Sequence, residues 1–177
     1  MGSDNPAGAD NQQERPGIEG WIVGFVDGEG CFSCPITRNP STRIGWQVQP
    51  RFVVVQGARS THVLQMMRDF FGCGRLYRNH RRDSHREDLV VYSVFRLDEL
   101  RERIVPFFVA NPLCTAKRQD FERFARILDL MRDGEHLSID GMAAIARITE
   151  RMNQRKPSRF LESSEAIRQP TPIDVRS

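Results

Sequence analysis

Two carboxylates at the end of a short apolar run are the first sign of chemistry in this sequence. The run over residues 22–26 is followed by Asp27, Gly28 and Glu29. Gly24 and Gly28 lie four residues apart, so a helix here would have one bare face that another helix can approach closely. A charged group at such a contact is costly unless it has a partner or a task. The spacing therefore indicates a helix end built for close contact, with an acid placed at the contact.

The hydrophobic pattern predicts the elements that position these acids. A first helix runs from about Glu19 or Trp21 to Glu29, and Gly30 is expected to leave it in a left-handed turn. Single strands over 31–38 and 45–56 follow, then a helix over 61–71 and strands over 75–79 and 89–96. Asp98 is a predicted N-cap for a third helix, which Pro106 should kink or restart. Helices over 116–132 and 139–152, the latter capped by Ser138, complete the pattern. The expected buried sides are Val63, Met66, Met67, Phe70 and Phe71 in the helix over 61–71, and Phe121, Phe124, Ala125, Leu128 and Met131 in the helix over 116–132.

The stretch IVGFVDGEG, residues 22–30, resembles the LAGLIDADG motif of homing endonucleases of the single-motif type. The order of elements over about residues 20–132 resembles that family as well. The resemblance implies an α+β fold, the αββαββα LAGLIDADG homing-endonuclease fold, with an antiparallel four-stranded saddle-shaped sheet and C-terminal helices. A buried helix with a glycine cap would explain the motif alone but not the order of elements that follows it.

Composition divides the chain into four predicted parts. Residues 1–19 are polar and rich in Gly and Pro, which predicts a disordered leader. The endonuclease core is expected over 20–135, a C-terminal helix packing on it over 136–153, and an extended or disordered basic tail over 154–177. No apolar run approaches the roughly 20 residues of a membrane span, so we expect an intracellular protein with no membrane partner.

Positive charge is concentrated in the predicted sheet. Residues 1–30 carry six acids and one Arg, a net charge of −5, whereas residues 38–86 carry ten Arg and two acids, a net charge of +8. Arg has a planar fork that suits phosphates and guanine edges. A high-GC coding bias would also favour Arg over Lys, so the location of the charge is the better indication of a nucleic-acid partner.

The alternation of residues 46–54 assigns Gln47, Gln49 and Arg51 to one face of the predicted sheet, and apolar side chains to the other. Applied to the preceding strand, the same alternation places Ser33, Thr37 and Asn39 on the polar side. Such side chains read base edges in the major groove, although simple solvent exposure also explains a polar face. The predicted contacts with double-stranded DNA are Ser33, Thr37, Arg38, Asn39, Arg43, Gln47, Gln49, Arg51, Arg75, Tyr77, Arg78, Asn79, Arg81, Arg82, Arg86 and Tyr92.

The family resemblance implies a homodimer, with one acid from each chain at a shared centre. Glu29 and the carbonyl of Gly28 are the implied ligands of Mg²⁺, with Mn²⁺ as a substitute and no other small-molecule cofactor. Gln56 is the implied solvent-orienting residue, and Lys117 the implied basic residue near the attacking water or the phosphate. Asp27 is expected to brace the helix end rather than bind metal. The implied dimer interface contains Trp21, Val23, Gly24, Asp27 and Gly28.

Three other interpretations remain open at this point. The spacing of Cys31 and Cys34 occurs in zinc sites, but residues three apart in a strand point to opposite faces, which favours reduced thiols. A non-cleaving DNA-binding or regulatory protein of the same fold would have no need of an acid at residue 29. An RNA-binding intron maturase would use the same sheet on another polymer.

Overall fold

The structure, a computed structural model, describes residues 17–79, 87–152 and 158–161. The predicted leader before residue 17, the loop residues Arg81, Arg82 and Arg86, and the predicted tail apart from 158–161 lie outside the described residues. The elements are α1 (Ile18–Glu29), β1 (Gly30–Ser33), β2 (Ile36–Arg38), β3 (Trp46–Val48), β4 (Arg51–Gly57), α2 (Thr61–Phe71), β5 (Arg75–Asn79), β6 (Leu89–Val94), α3 (Leu97–Glu99), α4 (Val105–Ala110), α5 (Lys117–Arg132) and α6 (Ile139–Thr149).

An antiparallel sheet of four strands, in the order β1-β4-β6-β5, organises the fold. Its inner face carries the core, because alternate residues of β4 and β6 are buried there. Phe32 of β1 faces Phe52 of β4, and their rings stack with centroids 5.0 Å apart. Phe108, Phe121 and Phe124 bring α4 and α5 against Phe32. The predicted α+β class is therefore confirmed.

Each of the two predicted strands over 31–38 and 45–56 is divided in two, which corrects the sequence prediction. β1 and β4 belong to the main sheet, whereas β2 and β3 pair with each other in a separate two-stranded sheet. The breaks fall at Pro35 and Pro50, which have no backbone N–H to donate to a ladder. The carbonyl of Pro35 accepts a hydrogen bond from the Gln49 amide at 3.0 Å, so the two breaks lie side by side.

The helix α2 has the predicted bounds, but its buried side differs from the prediction. Leu64, Met67 and Phe71 point into the core, whereas Met66 and Phe70 are each 38% exposed. The buried residues follow a spacing of three and four, which is the stripe that faces the sheet. Gly72 ends the helix with a φ of 62°, a conformation that glycine adopts without strain.

The region of the predicted third helix contains two short helices joined by a wider turn. Asp98 is not its N-cap, because α3 already begins at Leu97 and the Asp98 carboxylate pairs with Arg96 at 2.7 Å. Residues Leu100–Ile104 form a π-helical turn, and α4 starts immediately before Pro106. Proline cannot donate the hydrogen bond that would continue a regular helix, so the predicted restart at Pro106 is confirmed.

The buried residues of α5 and the N-terminal cap of α6 largely agree with the prediction. Phe121, Phe124, Leu128 and Met131 of α5 are buried, as predicted, although Ala125 is only half-buried and Ile127 is buried in its place. Ser138 caps α6, as predicted, by accepting a hydrogen bond from the Gly141 amide at 3.0 Å. Within the described residues, no helix combines the length and apolarity that a membrane span requires.

Candidate active site and nucleic-acid interface

The last turn of α1 contains Asp27 and Glu29 but no basic residue, although the helix dipole is negative there. The compensating charge comes from the first residue of α5. The Lys117 ammonium donates hydrogen bonds to the carbonyls of Val26 at 2.8 Å and Gly28 at 3.3 Å. The Val26 carbonyl also accepts the Gly30 amide, whereas the Gly28 carbonyl lies in the last turn, where carbonyls have no partner within their own helix. Lys117 therefore caps the end of α1 from a different element.

Asp27 makes the reciprocal connection from α1 to the segment that precedes α5. Its carboxylate accepts hydrogen bonds from the Cys114 amide at 2.7 Å, the Thr115 amide at 3.2 Å and the Thr115 hydroxyl at 2.6 Å. Burial raises the pKa of the Asp27 carboxyl, but the hydrogen bonds from Thr115 and Cys114 outweigh it, and the pKa lies below its ordinary value. Asp27 thus braces the helix end, as expected from the sequence.

Burial also acts on the Lys117 ammonium. It lowers the pKa of Lys117 below its ordinary value, against the opposing attraction of the nearby Asp27 and Glu29 charges. The Lys117 ammonium of α5 also reaches the carbonyl of Gly28, the residue before Glu29, at the end of α1. The structure brings these two predicted residues together.

Gly30 follows directly in an extended conformation, with φ −76° and ψ 155°, so the predicted left-handed turn is wrong. The chain passes straight into β1, where Gly30 faces Val54. Glycine is needed here for space: a Cβ at this position would lie 2.5 Å from the Val26 side chain and 2.9 Å from the Val26 carbonyl oxygen. The close packing of Gly30 against Val26 therefore positions the backbone of Glu29, the last residue of α1, at the start of β1.

Glu29 itself is exposed, and within the described part of the chain its carboxylate accepts no hydrogen bond and forms no ion pair. Gly30, the first residue of β1, pairs with Val54 of the antiparallel strand β4. Gln56 lies two residues further along β4, and therefore beyond the start of β1, next to the end of α1. Its side chain is half-buried. The register places Gln56 beside the end of α1, and its role stays a prediction.

The face of α1 that carries Gly24 and Gly28 is open. A Cβ added at either position would meet no atom within 4 Å. Trp21 and Val23, by contrast, contribute to the chain's own core: Val23 is 9% exposed, and Trp21 stacks on Phe25 with centroids 4.9 Å apart. Val23 therefore has little exposed surface for contact with a second chain, whereas Gly24 and Gly28 adjoin open space.

The outer face of the main sheet carries several of the predicted DNA contacts. Ser33 of β1 faces Arg51 of β4, and Arg75 of β5 faces Ser93 of β6, all on the side opposite the core. Tyr77 and Asn79 lie on the same side of β5 and are exposed. The register thus brings polar and cationic side chains from four strands onto one surface.

The small sheet of β2 and β3 carries a second group of predicted contacts. The Arg38 guanidinium lies 4.7 Å from the centre of the Trp46 ring. Asn39 donates a hydrogen bond to the Gln47 side chain at 2.8 Å, and Arg43 donates one to the Leu137 carbonyl at 3.3 Å. Thr37 faces Gln47 across the strands and is exposed.

Two of the predicted DNA contacts behave differently. Tyr92 was assigned to the DNA face, and this is wrong: its side chain is completely buried, opposite Val54 and Leu76, and its hydroxyl donates to the Cys73 carbonyl at 3.1 Å. Val90, Tyr92 and Val94 are the inward residues of β6. Arg78 lies on the same side of the sheet as Tyr92 but is exposed at the edge strand, so its assignment stays a prediction.

Thr115 is a site residue that the sequence analysis did not assign. Its hydroxyl donates to Asp27 and accepts a hydrogen bond from the Lys117 amide at 3.2 Å, so it begins α5 and ties it to α1. A threonine two residues before a helix start is a recognisable capping signal. Its connection to Asp27, 88 residues away, leaves no trace in the local sequence.

The donor atoms at the end of α1 suit a hard divalent cation, but the described residues supply few of them. The Glu29 carboxylate and the Gly28 carbonyl are oxygen ligands of the kind that Mg²⁺ prefers. Among residues 17–79, 87–152 and 158–161, no group of three or more His, Cys, Asp or Glu side chains could hold a metal ion. Cys31 is half-buried and Cys34 buried, and neither forms a disulfide. A complete cation site would therefore need ligands beyond those that the described residues of one chain bring together.

The architecture and the acid at the end of α1 define a LAGLIDADG-type protein, and comparison with known proteins agrees. The family model described as LAGLIDADG endonuclease matches residues 22–128. The chain therefore belongs to the LAGLIDADG endonuclease family.

Several relatives in sequence are named as intron-encoded or homing endonucleases. The chain is 28% identical to "Probable intron-encoded endonuclease 3" of Neurospora crassa, over 77% of this chain and 25% of the relative. It is 32% identical to "Homing endonuclease I-ApeII" of Aeropyrum pernix, over 63% of this chain and 62% of the relative. The chain thus spans only part of the length of these curated relatives.

Solved structures share the fold. The crystal structure of the homing endonuclease I-TnaI superposes with a TM-score of 0.75 at 40% identity, covering 85% of this chain and 97% of that one. The I-LtrWI LAGLIDADG homing endonuclease bound to target DNA superposes with a TM-score of 0.71 at 27% identity, covering 87% of this chain and 48% of that one. The comparison confirms the predicted LAGLIDADG fold.

Proposed function

We propose that this chain is one subunit of a homodimeric, site-specific DNA endonuclease that cuts both strands of a long pseudo-palindromic site in a divalent-metal-dependent reaction, leaving staggered ends. The observation that carries the proposal is the exposed Glu29 carboxylate at the end of α1. Its neighbour Asp27 is fully used within the chain, whereas Glu29 has no such structural partner among the described residues. An acid kept there against the helix dipole is explained by chemistry.

The open glycine face of α1 supports the dimer. Gly24 and Gly28 leave room for a second helix backbone, and an identical α1 related by a two-fold axis would fit it. Such pairing brings two Glu29 side chains and two Gly28 carbonyls to one centre. It thereby supplies the oxygen ligands that a single chain lacks.

The chain's own residues would divide the work at this centre. Glu29 and the Gly28 carbonyl would hold the cation, which when bound activates water for attack on the scissile phosphate and stabilises the departing 3′ oxygen. The Lys117 ammonium, already close to Glu29, would offset the charge that develops on the phosphate. The side-chain amide of Gln56 has no hydrogen-bond partner among the described residues, and it would orient solvent from its position on β4.

The outer sheet face would hold the duplex. Arg51 and Arg75 supply positive charge, and Ser33, Tyr77 and Asn79 supply groups that contact base edges or phosphates. The structural relative I-LtrWI is bound to its target DNA, which supports duplex DNA as the partner. Two copies of the face, one on each side of the dyad, would read two similar half-sites.

Replacing Glu29 with Gln tests the chemistry. A cleavable site is first selected from a random duplex library with Mg²⁺, and binding is measured separately in EDTA. Glu29→Gln should bind the selected site normally and cut it at least about 100-fold more slowly, because it removes a charge that acts in the transition state. Glu19→Gln, an exposed acid at the other end of α1, is the matched control and should cut normally. Equal cleavage by both variants would refute the role of Glu29.

The wild-type protein also decides between the proposal and its alternatives. Tight duplex binding with no cleavage in Mg²⁺ would identify a binding protein of the same fold. Preference for folded intron RNA over duplex DNA in a competition assay would identify a maturase.

Replacing Gly24 with Leu tests the dimer. The side chain enters open space in the single chain, so folding should be retained. Sedimentation at micromolar concentration should then show a monomer that no longer cuts both strands. Glu19→Leu, equally bulky on the same helix but away from the glycine face, should leave the dimer intact. A Gly24→Leu protein that still sediments as a dimer would refute this interface.

A further inference from the structure

An exposed phenylalanine interrupts the polar outer face of the sheet. Phe95 follows the last residue of β6, and 48% of its surface is exposed. Val94 is buried opposite Phe52, so the alternation places Phe95 on the same side as Ser93, away from the core. None of the described aromatic rings stacks with it. Its position forgoes the stabilisation that burial of the ring would provide.

Phe95 lines a groove together with residues already predicted to read DNA. The groove has a volume of about 430 Å³ and lies where β6 ends beside the start of β4. Its polar lining consists of Gln47, Gln49, Arg51 and Ser93, and its apolar lining of Phe95 with Val48, Pro50, Leu97 and Met131. Gln47 is engaged by Asn39, whereas the Gln49 side chain forms no hydrogen bond within the described residues. The groove thus combines an apolar ring with an unengaged amide and a cation.

This combination matches one base pair better than the others. In the major groove only thymine presents an apolar group, its 5-methyl, and the adenine opposite presents the donor and acceptor that a glutamine amide pairs with. Cytosine and guanine present hydrogen-bonding groups and no methyl group in the major groove, so a phenyl ring has no comparable apolar contact with them. The cation of Arg51 beside the ring suits the adjacent phosphate or a neighbouring guanine.

We propose that Phe95 determines specificity by packing against the 5-methyl group of a thymine in each half-site, while Gln49 contacts the paired adenine or its neighbour. This inference rests on the proposed function, because it assumes that the outer sheet face lies in the major groove. It adds a residue and a chemical group to that interface. The sequence pattern did not assign Phe95 to DNA, because placing Tyr92 on the DNA face of a strand over 89–96 leaves Phe95 on the opposite face.

Removal of single methyl groups from the DNA tests the proposal directly. Each thymine of the selected site is replaced in turn by deoxyuridine, at the same position in both half-sites, and the affinity is measured in EDTA. Loss of a buried methyl contact should weaken wild-type binding about fourfold per half-site at one position. Phe95→Ala should bind the unmodified site more weakly and be insensitive to deoxyuridine at that position. Phe95→Leu should partly restore the sensitivity.

Phe70→Ala provides the matched control, because Phe70 is also partly exposed but lies on α2, on the core side of the sheet. It should keep the wild-type response to deoxyuridine at every position. If wild-type and Phe95→Ala proteins respond identically to every methyl deletion, the proposal for Phe95 is wrong and the proposed nuclease function stands. If the wild-type protein has no affinity for duplex DNA, both fall together.

Discussion

The two faces of α1 differ in how completely the chain satisfies them. On the inner face, Ile22 and Val26 are fully buried, and Asp27 has three hydrogen-bond donors from the segment before α5. On the outer face, a Cβ added at Gly24 or Gly28 would meet no atom within 4 Å, and at the exposed end of the helix the Glu29 carboxylate has no hydrogen-bond or ion-pair partner within the described residues. The difference shows that the same short helix serves its own fold on one side and is left incomplete on the other. Substitutions on the two faces should therefore have opposite signatures.

The largest effect on folding should come from the inner face. Ile22→Ala removes a fully buried side chain from the core and should lower the free energy of unfolding by about 3 kcal/mol. Ile18→Ala, in the first turn of the same helix with 36% exposure, should cost much less. Chemical denaturation of both variants measures the difference. A loss for Ile18→Ala as large as that for Ile22→Ala would show that the contrast between the two faces is wrong.

Asp27→Asn should come next, with a loss of about 2 kcal/mol. The amide keeps the shape of the carboxylate but has one acceptor oxygen in place of two, and the donors of Cys114 and Thr115 then compete for it. Glu29→Gln, two residues away, should leave the unfolding free energy unchanged. Comparison of the denaturation midpoints of the two variants distinguishes the structural role of Asp27 from the proposed catalytic role of Glu29.

The pH dependence of stability should distinguish the same two acids. The pKa of Asp27 is lowered in the folded protein, so its contribution is complete above the unfolded pKa of about 3.9 and is lost as the pH falls through the folded value. Between about pH 5 and about pH 3, wild type should therefore lose more stability than Asp27→Asn. Urea titrations across this range measure the effect. Parallel curves would contradict it.

The smallest effect should have the opposite sign. Gly24→Ala should raise the free energy of unfolding of the isolated chain by up to about 1 kcal/mol, because alanine favours a helix and its methyl enters open space. Gly141→Ala in α6 is the contrasting control, since its Cβ would collide with the Glu135 carbonyl. Thermal denaturation at low protein concentration should show a higher unfolding midpoint for Gly24→Ala and a lower one for Gly141→Ala than for the wild type. Destabilisation by Gly24→Ala would mean that the outer face is not open.

The sequence predicted the parts of this molecule that are set locally. The bounds of α2, the Ser138 cap and the restart at Pro106 follow from periodicity, capping chemistry and a missing N–H. The family resemblance implied a basic residue near the attacking water or the phosphate at Lys117, but it did not predict the hydrogen bonds from Lys117 to the end of α1. The connection of Thr115 to Asp27 was beyond prediction, because it joins distant segments.

Errors arose where tertiary packing decided between similar alternatives. Tyr92 was assigned to the DNA face because of its chemistry, but the register of β6 turned it inward, where it packs edge-on against Phe52. Met66 and Phe70 were expected in the core for their hydrophobicity, but Leu64 occupies the side of α2 that faces the sheet. In each case the residue type was informative and the direction of the side chain was not.

The hydrogen bond from Lys117 to Val26 spans 91 residues and has a consequence for synthesis of the protein. A chain still emerging from the ribosome holds the acidic helix end long before it holds the residue that caps it. Until residues 114–117 have been translated, the carbonyls of Val26 and Gly28 lack the Lys117 ammonium, and the Asp27 carboxylate lacks its hydrogen-bond donors. The centre that would cut DNA can therefore form only late in translation, after the sheet that would select the target has already been made.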